Sequence, residues 1–356
     1  MQDAAHSTQF HPAQPPQAPG CGPLVWILLG ARRGDNNQLI ALAEGLGFGF
    51  DVKAMTYNQL RRFRFFRAAR LTSVAMAARK QIRPPWPDLV IGAGYDSLAV
   101  ARYIRRQSRG RTKIVQIGNP RGAAGDLDLL ITTPQYARTL APNVLALPLP
   151  MGNPAAVAAP TYTEEKWLAR LARPLRLIAI GGPARNWDID VAQLGQAIAT
   201  VMQRSDEDGG TLIVATSPRT GERTKRIVGE MLGASRYPVV ADFPSFATLL
   251  AASDEVHVTA DSVSMLSEAI LTGKPVGMIP IRRSPRGVLT GWLIKHGLLH
   301  RYLPDFPSFW DQLRKHEMVG SVERPVASSA RSTLPIAVDA VARLLANHRR
   351  ADIASK

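Results

Sequence analysis

An α/β fold with two Rossmann-like domains facing a cleft is what this sequence predicts, on three observations. Short apolar runs rich in β-branched residues alternate with helical patterns in two successive series, the way parallel sheets covered by helices are written. The two series are joined by LPLPMGNP (147–154), a stretch of hinge composition. Several strand-like runs end in small and polar residues, at the edge where open α/β sheets bind ligands. The chain has 356 residues, 46% hydrophobic and 20% charged. That is enough for two ordinary domains with buried cores and too apolar for a disordered chain.

Residues 1–23 read as a disordered tail, polar and rich in proline and glutamine, without apolar periodicity. No basic start precedes an apolar core there, so no signal peptide is read. The apolar run Leu24–Leu29 is too short to span a bilayer.

Residues 24–150 form the expected first domain. PLVWILLG is its first strand, GARRGDNNQ the following turn, and a helix runs from about Asn36 to Leu46. Gly30 and Gly34 suit a tight turn, but their spacing fits neither GxGxxG nor a P-loop. Asp35 is a candidate base for an acceptor hydroxyl, with a helix-capping role as the alternative. Phe50–Met55 is a second strand. Between Arg61 and Arg83 there are eight basic residues and no acid, with Leu60, Phe63, Phe66, Leu71 and Val74 near helical spacing. Arg61, Arg62, Phe63, Arg64, Phe66 and Arg67 give this stretch the composition of a membrane-surface helix. A core-facing helix with an arginine-rich outer face is the alternative. No nucleic-acid reader motif is present. PDLVIGAGYDS is a strand, a glycine turn and the start of a helix to about Gln107, and Asp96 in it is the second candidate base. TKIVQIG, LDLLITT and Val144–Leu147 complete this series.

Residues 165–330 form the expected second domain. LRLIAIGGPARNWD runs a strand into a Gly-Gly turn. There the Gly181 and Gly182 amides are expected to approach a diphosphate, with Arg185 and Asn186 as phosphate or sugar contacts. A helix covers Val191–Gln203. TLIVATSPRT ends in Ser217, Arg219 and Thr220, and a guanidinium forks onto phosphate. VHVT (Val256–Thr259) leads through Ala260-Asp261-Ser262 into a helix with apolar Val263, Leu266 and Ile270. That helix ends at Gly273, with Lys274 beside its negative end. A helix start of this kind favours an anion. Asp261, Ser262, Ser264 and Met265 lie at it, and Glu268 is placed to accept from a sugar diol. The plainer alternative is that Asp261 or Ser262 caps the helix and Glu268 is solvated. Three strand ends thus converge on one crevice.

PIRRSPRG adds Arg282, Arg283 and Arg286. In the helix that follows, His296 and His300 stand at i, i+4, but neither HEXXH nor a third ligand accompanies them, so no metal site is read. Residues 331–356 are a closing helix, Leu334–Ala346, and a basic tail.

ADSVSMLSEAILTGKPV resembles the signature of the plant mitochondrial-fission (elongated mitochondria) family and its bacterial relatives. GGP at 181–183, Ser-x-Arg-Thr at 217–220 and the turn ending in Asn37-Gln38 extend the resemblance over most of Leu24–Tyr302. More loosely, the segment is similar to the donor site of GT-B glycosyltransferases: strand, small-residue turn, helix with a ribose-binding Glu, Gly-Lys-Pro, strand. The resemblance implies metal-independent transfer of a sugar from a nucleotide sugar, with no further cofactor. The donor would sit in the second domain with Glu268 on its ribose. A membrane-associated acceptor would sit in the first, presented through the Arg61–Arg67 stretch. It also implies two other readings, a non-catalytic membrane-surface adaptor and a nucleotide-sugar epimerase.

The net charge of +16 and a pI near 10.6 favour anionic partners: nucleotide sugars, acidic lipid or nucleic acid. The single cysteine, Cys21, forms no internal disulfide. This usage fits a cytoplasmic protein, and the basic Arg61–Arg67 stretch adds the expectation of a peripheral place on the inner face of a membrane.

Overall fold

The computed structural model describes residues 22–59, 71–118, 124–136, 141–152, 159–184, 186–299 and 304–354. The expected tail over residues 1–21, the Arg61–Arg67 stretch, Arg185 and His300 lie outside the described residues. The chain divides into two compact units, residues 1–117 with 342–356 and residues 118–341.

The first series of elements is β1 (Val25–Leu29), α1 (Arg33–Gly45), β2 (Phe50–Ala54), α2 (Met76–Arg79), β3 (Leu89–Ala93), α3 (Gly94–Gln107), β4 (Lys113–Ile117), β5 (Leu129–Thr132) and β6 (Val144–Ala146). They form a six-stranded sheet in the order β2-β1-β3-β4-β5-β6. Strand β1 is VWILL, buried at every position, and it pairs in parallel with β2 and β3. A strand covered on both faces needs such an unbroken apolar run. Strand β2, FDVKA, is the edge and keeps Asp51 exposed. Its Lys53 lies 4.3 Å over the Trp26 ring and 3.2 Å from Asp51, charges that blunt a free edge.

The second series is α4 (Tyr162–Leu168), β7 (Leu175–Ile180), β8 (Trp187–Ile189), α5 (Val191–Glu207), β9 (Thr211–Thr216), α6 (Glu222–Leu232), β10 (Val239–Val240), α7 (Phe246–Ala252), β11 (Glu255–Thr259), α8 (Val263–Ile270), β12 (Pro275–Ile279), β13 (Ile281–Arg283), α9 (Pro285–Lys295), α10 (Phe306–Lys315), β14 (Val326–Ala327) and α11 (Leu334–Ala354). The sheet order is β10-β9-β7-β11-β12-β14. It is parallel except for β14, which runs antiparallel to β12. Alternate residues of β7 point to opposite faces. Ile178 and Ile180 pack with Leu194, Ile198 and Val201 of α5. Leu177 and Ala179 pack with Leu266 of α8 and Phe309 and Trp310 of α10. Each face thus has its own apolar core, which is why LRLIAI carries no polar alternation.

Several local features differ from, or add to, the sequence expectations. Helix α1 starts at Arg33 rather than Asn36, so Asp35 sits inside its first turn and caps nothing; the N-cap is Arg32. Lys274 does not serve the end of α8. Its Nζ donates to the carbonyls of Leu250 and Ala251 at the end of α7, where a cation meets the negative end of a different helix. After the Gly-Gly turn a short strand that the sequence reading did not include, Trp187–Ile189, pairs antiparallel with Ile281–Arg283. Helix α9 ends at Lys295, which leaves His296 at the C-cap. The last helix runs on to Ala354.

Candidate functional site

In an open α/β sheet the ligand crevice lies at the carboxyl edge where the strand order reverses. In the second sheet β9 and β10 are laid out on one side of β7, and β11 and β12 on the other. The reversal falls between β7 and β11. The loop after β7 carries Gly181 and Gly182, and the loop after β11 carries Asp261 and Ser262. Ser217, Arg219 and Thr220 follow β9, the next strand over.

These three loops interlock around one carboxylate. Asp261 is buried, and its Oδ2 accepts from the Gly182 amide at 2.9 Å while Oδ1 accepts from the Thr259 hydroxyl at 2.6 Å. The Gly181 amide donates to Thr259 Oγ1 at 2.8 Å. Thr220 donates through its hydroxyl to the carbonyls of Ile180 and Gly181, at 3.0 and 2.6 Å, and Ser217 Oγ donates to the Gly181 carbonyl at 3.0 Å. Both amides expected to meet a diphosphate are therefore already engaged within the protein. So are the Ser217 and Thr220 hydroxyls. The two glycines are required for loop packing: a Cβ on Gly181 would collide with the Asp261 carboxylate, and one on Gly182 with the Arg219 carbonyl.

Two groups suited to an anion border these loops. Arg219 Nη2 lies 3.2 Å from Asp261 Oδ2, yet half of the Arg219 side chain is exposed. Burial pushes the Asp261 pKa up, opposed by the Thr259 hydroxyl, the Gly182 amide and Arg219. One ion pair thus fixes the guanidinium without covering it. The second element is the start of α8. Its N-cap, Ser262, makes no side-chain capping bond, so neither Asp261 nor Ser262 takes the capping role. Ser264, Met265 and Glu268 are partly exposed on this helix, and Val263 with them.

The β8–β13 pair follows the Gly181-Gly182 loop in the chain. Trp187 packs edge-on against Trp310 at 4.9 Å and Phe306 at 6.3 Å between ring centroids. The Arg283 guanidinium lies 4.9 Å over the Trp187 ring. Trp310 Nε1 donates to the Ala260 carbonyl at 2.9 Å, so α10 braces the Ala260–Ser262 turn from behind. Asn186 lies just before β8. Its Nδ2 is buried without a partner among the described residues, a donor left unspent there. Thr259, Trp187 and Trp310 are functional candidates that sequence reasoning missed. Thr259 was readable only as the last residue of a strand, and the two tryptophans only as core.

The first sheet reverses between β1 and β3, and the candidate bases follow those two strands. Asp35 occupies the first turn of α1 and Asp96 the first turn of α3. Asn36 bridges the turn after β1, donating to the Gly30 carbonyl at 2.8 Å and accepting from the Gly30 amide at 2.9 Å. The Asp35 carboxyl keeps part of its surface exposed, and burial of the rest lifts its pKa, opposed by Arg32 at 3.9 Å. Among the described residues no group of His, Cys, Asp and Glu is arranged to hold a metal. No helix among them is long and apolar enough to cross a membrane.

The profile of the family described as mitochondrial fission ELM1 matches residues 33–303. The mitochondrial fission protein ELM1 of Arabidopsis thaliana is 27% identical over 241 residues, covering 59% of this chain and 56% of that protein. The chain thus spans a little over half the length of this curated relative. Among solved structures, the Staphylococcus aureus MnaA–UDP complex is similar with a TM-score of 0.53 at 14% identity, over 90% of this chain and 95% of that one. The UDP-GlcNAc 2-epimerase of Methanocaldococcus jannaschii gives 0.51 at 13% identity, over 89% and 99%. These likenesses show the fold, an α/β chain of two Rossmann-like domains.

Proposed function

The chain belongs to the mitochondrial fission ELM1 family, and from that premise we propose that it is a nucleotide-sugar glycosyltransferase whose second unit binds the donor. One observation carries this reading. At the strand-order reversal of the second sheet, three loops are locked around Asp261, with the half-exposed Arg219 held by it and the start of α8 left without a side-chain cap. A guanidinium held by a buried carboxylate, beside a helix N-terminus, is a preorganised anion site. The leaving diphosphate would take its charge stabilisation from these two groups, with the Ser262 and Ser264 hydroxyls and Asn186 Nδ2 as further donors. Glu268 would accept from the ribose hydroxyls. Gly181, Gly182, Ser217 and Thr220 serve as framework in this scheme. In the transfer step the acceptor hydroxyl gives its proton to a carboxylate, Asp35 or Asp96. Its oxygen bonds to the anomeric carbon, and the bond from that carbon to the diphosphate oxygen breaks, its electron pair leaving with the nucleotide.

The Staphylococcus aureus structure of like fold is a complex with UDP, so UDP is the first nucleotide to try. Calorimetric titration with UDP, GDP, CMP and ADP tests the site. One nucleotide should bind saturably, and Arg219→Ala should weaken it by about 10- to 100-fold, the worth of a charge-assisted hydrogen bond. Glu268→Ala should weaken it further for nucleotides than for free diphosphate. Absence of binding by all four would sink the donor site and favour the adaptor reading.

A second reading keeps the same nucleotide site but no acceptor. The Methanocaldococcus relative in fold is named a UDP-GlcNAc 2-epimerase. Incubation with UDP-GlcNAc, followed by NMR of the sugar, separates the two. Inversion at C2 of an intact nucleotide sugar supports an epimerase, and UDP release that depends on an added acceptor supports a transferase.

A further inference from the structure

Helix α9 carries its apolar residues on the wrong side for a core helix. Only Gly287 among its residues is buried, whereas Val288 and Leu289 are each 58% exposed, Trp292 52%, and Leu298 just beyond it 66%. At about 100° per residue, positions 288, 289 and 292 fall within one arc of about 100°, and position 287 lies on the opposite side. The buried side docks on the candidate donor site. A Cβ on Gly287 would collide with the Asn186 carbonyl, and the Ser284 amide donates to that same carbonyl at 2.9 Å. The apolar side faces solvent.

The flank of this face is predominantly basic, with Asp188 of β8 opposite Arg282 as an acid beside it. Arg282, Arg283, Arg286 and Lys295 are exposed, and the sequence holds no acidic residue from 269 to 304. A second copy of the same face would bring like charges together. An anionic bilayer matches both features: phosphates for the basic residues and an acyl boundary for the apolar arc, with Trp292 at the depth tryptophan favours. We propose that α9 is a membrane-surface helix that lays Val288, Leu289, Trp292 and Leu298 into an anionic bilayer beside the candidate donor site. Its contact is independent of the nucleotide site, and it uses residues other than the Arg61–Arg67 stretch.

Vesicle flotation with phosphatidylglycerol–phosphatidylcholine and with pure phosphatidylcholine vesicles tests this. The full chain should float with the anionic vesicles and not the neutral ones. The double variant Leu289→Glu/Trp292→Glu should partition roughly tenfold or more less, since it removes two apolar anchors and adds repulsion. Both positions are exposed, so circular dichroism and UDP calorimetry of this variant should match wild type. The inference is overturned if the wild type ignores anionic vesicles. It is equally overturned if the double variant floats as well as wild type, or if sedimentation shows a dimer that the double variant converts to monomer. In the last case the face is covered by a second copy. Intact flotation with no nucleotide binding would instead count against the donor site alone.

Discussion

Gly182 shows why a glycine pair at a strand end need not mean close approach of a ligand. Its missing side chain makes room for the Arg219 carbonyl, and its amide is spent on Asp261. Gly182→Ala should therefore destabilise the fold by about 1–3 kcal/mol, the cost of overpacking a site that cannot relax; urea unfolding measures it. Two buried carboxylates should respond to pH with opposite signs. Glu164 accepts from the amides of Ser245 and Thr161, which hold its pKa down from 4.5 to about 2. Its contribution is present above pH 4.5 and lost as pH falls toward 2. Glu164→Ala should cost about 1–2 kcal/mol near neutrality, as loss of a capping interaction does, and little in strong acid. Asp261 has its pKa raised from 3.8 by burial. Its contribution is fullest below pH 3.8 and falls away as pH rises through the native value. Asp261→Asn should accordingly gain stability relative to wild type as pH rises from about 3 to 7, as chemical denaturation at a series of pH values would show.

At the scale of elements, α10 acts as a strut. Trp310 Nε1 holds the Ala260 carbonyl, and its ring backs Trp187 of β8. Trp310→Phe keeps the ring and removes the bond, leaving a buried carbonyl unpaired at a cost of about 1–3 kcal/mol. If the turn before α8 positions the anion site, the same variant should weaken nucleotide binding without touching the ligand, and calorimetry beside thermal unfolding would show both. The parallel strands were legible because burial on both faces demands runs such as VWILL, LRLIAI and TLIVAT. The helices α3, α5 and α8 were legible from their apolar spacing. The β8–β13 pair was not, since three-residue strands carry no periodic signal. Neither was the engagement of the Gly181 and Gly182 amides, because their acceptors are Thr259 and Asp261, 78 and 79 positions away. Lys274 reads locally as belonging to α8, but the tertiary fold brings it to the end of α7.

For the whole molecule, the two sheets repeat one plan. Each reverses its strand order once, and each reversal falls between loops that sequence reasoning had singled out. In the second unit those loops carry Arg219 and the start of α8, the proposed anion site. In the first they place Asp35 and Asp96 in the first turns of helices leaving adjacent strands, β1 and β3. A division of labour follows if the transferase reading holds: the second unit binds the donor, and the first supplies the base. Asp35→Asn and Asp96→Asn should then leave UDP affinity unchanged within about twofold, since neither residue belongs to the donor site. The one that acts as base should lower turnover by about 10²- to 10⁴-fold, the usual worth of a positioned proton acceptor. Burial already lifts the Asp35 pKa, which suits a base working nearer neutrality, so its variant should be the more damaging. Its activity should also lose the acidic limb of the pH–rate profile that wild type shows. Full turnover in both variants would place the base elsewhere, while loss of UDP binding in either would break the assignment of the donor to the second unit alone.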